Sequence, residues 1–216
     1  MSVKLLLLVS LLAGFVATAS PVTYDVTLDT SSISGTTGSL DFNFNPGLLV
    51  TQAADLQILN FSSDGTLEAC ASNVQGFCNT GDVSGTLPAT LTFDNGTAFN
   101  DYFDGFTFGS TLSFQVSLYG PALSSPDGTS TSGSTFAFSM FSDSAGIMPV
   151  LTSDTSEGFA FTVDTNLDGT TAVSNFSAQT SVVPETSAVP EPRDFVIPAT
   201  ALLMLVLFTS RRRLPA

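Results

Sequence analysis

Leu40-Asp41-Phe42-Asn43-Phe44 and Leu112-Ser113-Phe114-Gln115-Val116-Ser117-Leu118 alternate apolar and polar residues with a strict period of two. Successive side chains of a strand point to opposite faces, so this pattern predicts antiparallel strands with one face buried. Short apolar or aromatic runs of the same kind cover residues 22–28, 39–45, 55–61, 89–95, 111–119, 134–141, 158–164 and 171–179. Asp64-Gly65, Asn95-Gly96, Asp104-Gly105, Asp127-Gly128 and Asp168-Gly169 punctuate them, and such dipeptides favour tight turns because they accept positive φ cheaply. No internal segment shows helical spacing with caps. The expectation is an all-β fold, an antiparallel β-sandwich of jelly-roll type over residues 20–181, its core filled largely by phenylalanine.

Charge narrows what such a domain can do. The five basic residues are Lys4, Arg193, Arg211, Arg212 and Arg213, and the chain has no histidine. Sixteen of the 19 acids lie within residues 20–180, so that segment carries about −16 with no counter-charge of its own. Phosphates cannot be neutralised there, which argues against nucleic-acid and nucleotide binding. A Ser-His-Asp or Cys-His relay, a Schiff base and an arginine clamp are equally out of reach. Carboxylate chemistry is what remains.

The two ends read as export signals. Lys4 is followed by the apolar run Leu5–Val16 and by Ala17-Thr18-Ala19, a small-x-small pattern that predicts signal-peptidase cleavage after Ala19. Residues 182–194 are rich in Pro, Ser, Thr and Glu and read as an extended linker. Phe195–Ser210 is a stretch of 16 residues without a charge. As a helix it measures about 24 Å, just short of a hydrocarbon core of about 30 Å, and it reads as a transmembrane segment. Residues 211–216 then form a basic tail held on the cytoplasmic side.

The order Val189-Pro190-Glu191-Pro192, apolar segment, Arg211-Arg212-Arg213 resembles the PEP-CTERM sorting signal of exosortase substrates. That resemblance implies export by the Sec machinery and signal peptidase, then recognition of Val189–Pro192 by the exosortase, a membrane-embedded transpeptidase. It further implies removal of the helix and transfer of the ectodomain to the cell surface or exopolysaccharide matrix of a Gram-negative bacterium. Arg193 and Asp194 depart from the pattern by being charged where the apolar segment could begin. The ectodomain, through "GDVSGTLPATLTFDN", "FNDYFDGFTFGSTLSFQVSLYGPA" and "SGSTFAFSMF", is similar to a small group of PEP-CTERM proteins, a likeness that implies no activity.

Several constellations are candidates for chemistry. Cys70 and Cys78, close together in an exported chain, predict one disulfide. Asp164, Asn166, Asp168 and Gly169 match the first, third, fifth and sixth positions of a calcium loop, but the twelfth is Asn175 rather than Glu, so an ordinary Asp-Gly turn competes with Ca²⁺. Asp101 and Asp104 lie among Tyr102, Phe103 and Phe106, which could pack in the core or form a sugar-stacking platform. Asn60, Asn95 and Asn175 match the glycosylation sequon. The expected function is structural or adhesive, without catalysis, in an exopolysaccharide matrix. The alternatives are a calcium-dependent carbohydrate-binding module and a carboxylate glycoside hydrolase.

Overall fold

The computed structural model describes residues 21–68 and 78–185. Two compact units follow one another along the chain, Met1–Glu185 and Thr186–Ala216, and every described residue belongs to the first. Its strands are β1 (Val22–Asp29), β2 (Thr37–Pro46), β3 (Asp55–Ser63), β4 (Thr66–Leu67), β5 (Asn79–Thr80), β6 (Val83–Ser84), β7 (Leu91–Asp94), β8 (Asp101–Thr107), β9 (Thr111–Tyr119), β10 (Ser134–Phe141), β11 (Phe159–Thr165), β12 (Thr171–Asn175) and β13 (Thr180–Pro184). Besides a 3-10 turn at Ser31–Ile33, the short helix α1 (Pro121–Ser124) begins on proline, whose missing N–H costs nothing there.

The strands form two sheets, both built of antiparallel pairs. Sheet I has the order β13-β1-β9-β3-β7-β6 and sheet II the order β12-β11-β10-β2-β8-β4, with β5 also on β8. Period two decides what faces inward. In β2, Leu40, Phe42 and Phe44 are fully buried while Asp41, Asn43 and Asn45 point to the other face. Phe114 of sheet I meets Phe42, Phe138 and Phe161 of sheet II at ring-centroid distances of 5.2, 5.1 and 6.3 Å. The two inner faces therefore interlock through edge-on, tilted and stacked rings, geometry worth about 0.5–1.5 kcal/mol per pair beyond the area buried. The result is an antiparallel β-sandwich with a phenylalanine-rich core.

Two segments depart from the sequence reading. Asp104-Gly105 is not a turn: both residues lie inside β8, with Asp104 paired to Leu40 and Gly105 to Ser39. A Cβ at Gly105 would stand 2.4 Å from a carboxylate oxygen of the exposed Glu68, the far end of a flexible side chain that can turn aside. Val182, Val183 and Pro184, read as the start of the linker, complete strand β13, with Val182 opposite Val26 and Pro184 opposite Tyr24. Pro184 is tolerated because β13 is an edge strand and the proline sits at its end.

Ala17, Ala19, Cys70, Val189, Pro190, Glu191, Pro192, the apolar segment 195–210 and Arg211, Arg212 and Arg213 lie outside the described residues. Among those described, no helix is long and apolar enough to cross a membrane. Cys78 is buried in the core and is not a free thiol.

Candidate functional site

Shielded carboxylates in a domain without cations are the chemically unusual feature: Asp104 is buried on the inner face of sheet II, and the half-buried Asp41 and Asp101 meet on its outer face. In the β2–β8 ladder Asn43 stands opposite Asp101 and Asp41 opposite Phe103, which makes Asp41 and Asp101 diagonal neighbours on one face. Asn43 Nδ2 donates to Asp41 Oδ1 at 2.6 Å. Asn43 Oδ1 and Asp101 Oδ1 are buried and have no hydrogen-bond partner. Phe103 packs on Phe141, with ring centroids 6.5 Å apart, and so walls one side of the cluster.

Burial pushes the Asp41 carboxyl up to about 9, helped by the hydrogen bond to Asp101 and by its like charge. Asp101 is also raised, chiefly by burial, while its bond from Asp41 pulls the other way. Burial therefore favours the protonated form of Asp41, which is the donor toward Asp101. A glycoside hydrolase needs its two carboxyls at least about 5 Å apart with the sugar between them. A pair in direct hydrogen-bond contact leaves no such gap.

Asp104 belongs to a different surface. Three residues beyond Asp101 on the same strand, it faces the opposite way with Tyr102 and Phe106, and it is buried. Tyr102 Oη donates to Asp104 Oδ2 at 2.9 Å and accepts from Leu87 N–H at 3.0 Å. Burial raises Asp104 to about 6. The sequence pair Asp101 and Asp104 is thus split across the sheet, and Tyr102 and Phe106 are core residues rather than a platform.

The calcium-loop residues sit in the β11–β12 hairpin, each with a local partner. Thr135 Oγ1 donates to Asp164 Oδ1 at 2.6 Å, Asn166 Nδ2 to Thr170 Oγ1 at 2.9 Å, and Thr170 N–H to Asp168 Oδ1 at 3.0 Å. Gly169 at φ +82° supplies the left-handed residue and donates its N–H to the Asn166 carbonyl at 3.0 Å. This is the bonding of an Asp-Gly turn. Among the described residues no three His, Cys, Asp or Glu side chains converge as a metal-ligand group.

No family model, curated protein or solved structure matches the chain. An open groove of about 350 Å³ runs between Thr131–Thr135 and Asp164–Leu167, walled mostly by hydroxyls and backbone. Asn95, one of the sequon matches, is buried: its Oδ1 accepts from Ala54 N–H at 3.0 Å and its Nδ2 donates to the Gln52 carbonyl and Ser134 Oγ, both at 2.8 Å. That asparagine ties its own loop to the β2–β3 loop and the start of β10, and presents no free amide for a glycan. Sequence reasoning missed Asp41 and Asn43 because they occupy the face that alternation assigns to solvent. The signal that could have found them is an aspartate, an asparagine and a further aspartate on strands that later pair.

Proposed function

We propose that this chain is an exported acidic β-sandwich protein, delivered by an exosortase through its C-terminal tail to the surface or extracellular matrix of a Gram-negative bacterium. Its role there is structural or adhesive, within exopolysaccharide. The observation that carries the reading is the order of Val189–Pro192, an uncharged segment of 16 residues and three arginines, on a chain that opens with a signal-peptide pattern. The acidic, base-free ectodomain suits a polysaccharide matrix, where repelling its own kind keeps it dispersed. Consecutive strands β1 to β4 alternate between the sheets, and β1-β9-β3-β7 facing β2-β8-β4 is read as jelly-roll connectivity. A Cys70–Cys78 disulfide belongs to the same reading.

Intact-mass measurement and terminal mapping of protein recovered from the native cell surface test it. The expected product starts at Ser20 and ends upstream of Phe195. Recovery of Arg211–Arg213 in the mature form overturns sorting in favour of a permanent anchor. The rival, a calcium-dependent carbohydrate-binding module, draws on the all-oxygen set Asp41, Asn43 and Asp101 with its two unpartnered oxygens. It requires glycan-array binding that a chelator abolishes and an Asp101→Asn variant lacks.

A further inference from the structure

One end of the sandwich exposes apolar side chains in a cluster. Leu48, Leu49 and Val50, consecutive in the β2–β3 loop, are 104%, 67% and 67% exposed. Leu167 in the β11–β12 turn and Phe99 ahead of β8 are about half exposed at the same end. Leu167 lines one small cavity together with Thr51 and Ser132, and Asn100, next to Phe99, donates its N–H to Asn45 Oδ1 at the end of β2. Single exposed apolar residues are ordinary, but three in a row with two more beside them form a surface that water disfavours.

The tip is held in shape. Gly47 N–H donates to the Gly133 carbonyl at 2.8 Å, and the Val50 carbonyl accepts from Thr131 and Ser132 N–H at 2.8 and 3.1 Å. Thr51 Oγ1 and Ser132 Oγ share a 2.8 Å bond. These bonds fix the backbone of residues 47–51 against 131–133 and leave the Leu48, Leu49 and Val50 side chains directed outward.

The chain's own exit point says what meets this tip. Glu185 N–H bonds the Thr23 carbonyl at 2.8 Å, and Val22 of β1 pairs with Leu118 near the end of β9. Tyr119 pairs in turn with Asp55 at the start of β3, the strand that the Leu48–Val50 loop leads into. The chain therefore leaves the sandwich at the end that carries the apolar cluster. Only nine residues, Thr186 to Asp194, separate it from Phe195, and nine extended residues reach at most about 30 Å.

We propose that Leu48, Leu49 and Val50, flanked by Phe99 and Leu167, dock the precursor's ectodomain onto the bilayer surface in which its C-terminal segment is anchored. The proposal rests on reading residues 195–210 as that anchor. Tethering raises the local concentration of lipid around the tip, so a small apolar insertion suffices that would be too weak for a free domain. With no Lys or Arg among the described residues, and Asp127, Asp168 and Glu185 near the same end, the favoured surface is zwitterionic rather than anionic. Docking would hold Val189–Pro192 close to the membrane plane, where a membrane-embedded transpeptidase works.

The chain contains no tryptophan, so a Leu49→Trp variant carries a single reporter. The full-length variant is reconstituted into phosphatidylcholine vesicles with and without brominated acyl chains, beside an Ile147→Trp variant at the opposite, equally exposed end. The expected result is a blue-shifted emission from position 49 that brominated lipid quenches several-fold, with position 147 unshifted and unquenched. Equal emission from position 49 in the two lipids overturns docking. A blue shift without bromine quenching also overturns it, pointing to coverage by the C-terminal segment or, where it grows with the protein-to-lipid ratio, by a second copy. Failure of the wild-type chain to float with the vesicles removes the anchor itself and the docking with it, a result distinct from flotation with an unquenched tryptophan.

Discussion

Asp41 in β2 and Asp127 in the β9–β10 loop are the same side chain under opposite constraints. Asp127 is exposed, its Oδ1 accepts N–H bonds from Thr129 and Ser130 at 2.8 Å each, and the Ser130 hydroxyl bonds its Oδ2. Those donors, the Ser130 N–H foremost, pull its carboxyl down to about 2. Asp41 is shielded on a sheet face, and the backbone N–H groups around it are committed to the ladders with β8 and β10. Without cations, a turn can stabilise a carboxylate with spare backbone donors, whereas a sheet face can only keep it protonated or leave it strained. The loops accommodate this domain's charge cheaply, and sheet II accommodates it at a cost.

That cost must be carried by what lies on the other side of the same strand. Phe42, next to Asp41 in sequence and opposite to it in direction, touches the rings of Tyr102, Phe114 and Phe138. Phe42→Ala should lower stability by about 3–5 kcal/mol, the range for a buried aromatic truncated in a close-packed core. Denaturant unfolding of the purified ectodomain checks this. A loss under 1 kcal/mol would mean that the two inner faces do not interlock as described.

The neighbouring substitution should act in the other direction. Asp41 binds its proton more tightly folded than unfolded, so wild-type stability is greatest below the ordinary carboxylate range and falls as pH rises toward 9. Asp41→Asn keeps a donor toward Asp101 and removes the titration. The variant should match wild-type stability near pH 4 and exceed it increasingly as the pH rises to 8. A pH-independent difference would show that Asp41 is charged in the folded protein, as bound calcium would make it.

What was legible in the sequence follows the same division. Alternation in Leu40–Phe44 and Leu112–Leu118 revealed which residues face the core, because inward burial depends only on period and hydrophobicity. It could not reveal that the outward face of sheet II is also shielded, because that depends on Phe103 and Phe141 meeting across strands far apart in sequence. For the same reason Asp101 and Asp104 looked like a pair when period two sends them to opposite faces. Asp104-Gly105 looked like a turn because the dipeptide does not disclose the pairing with Leu40 and Ser39 that holds it inside β8. Asp168-Gly169 carried its turn locally and was read correctly.

Asp127 offers the smallest effect and the sharpest contrast in sign. Its carboxyl is held below its ordinary value, so the stability it supplies is present above that value and is lost as pH falls toward 2. Asp127→Asn retains an oxygen acceptor for Thr129 and Ser130 but loses the charge. At pH 7 the variant should unfold slightly earlier than wild type, and the gap should close as the pH is lowered from 4 to about 2. The Asp41→Asn gap instead opens upward from pH 4. Because Asp127 is exposed, salt should shrink its gap, while the gap at the shielded Asp41 should persist. Thermal melts of both variants across pH 2.5–8.5 at low and high salt separate the two behaviours, and gaps that run in the same direction would erase the distinction between turn and sheet carboxylates.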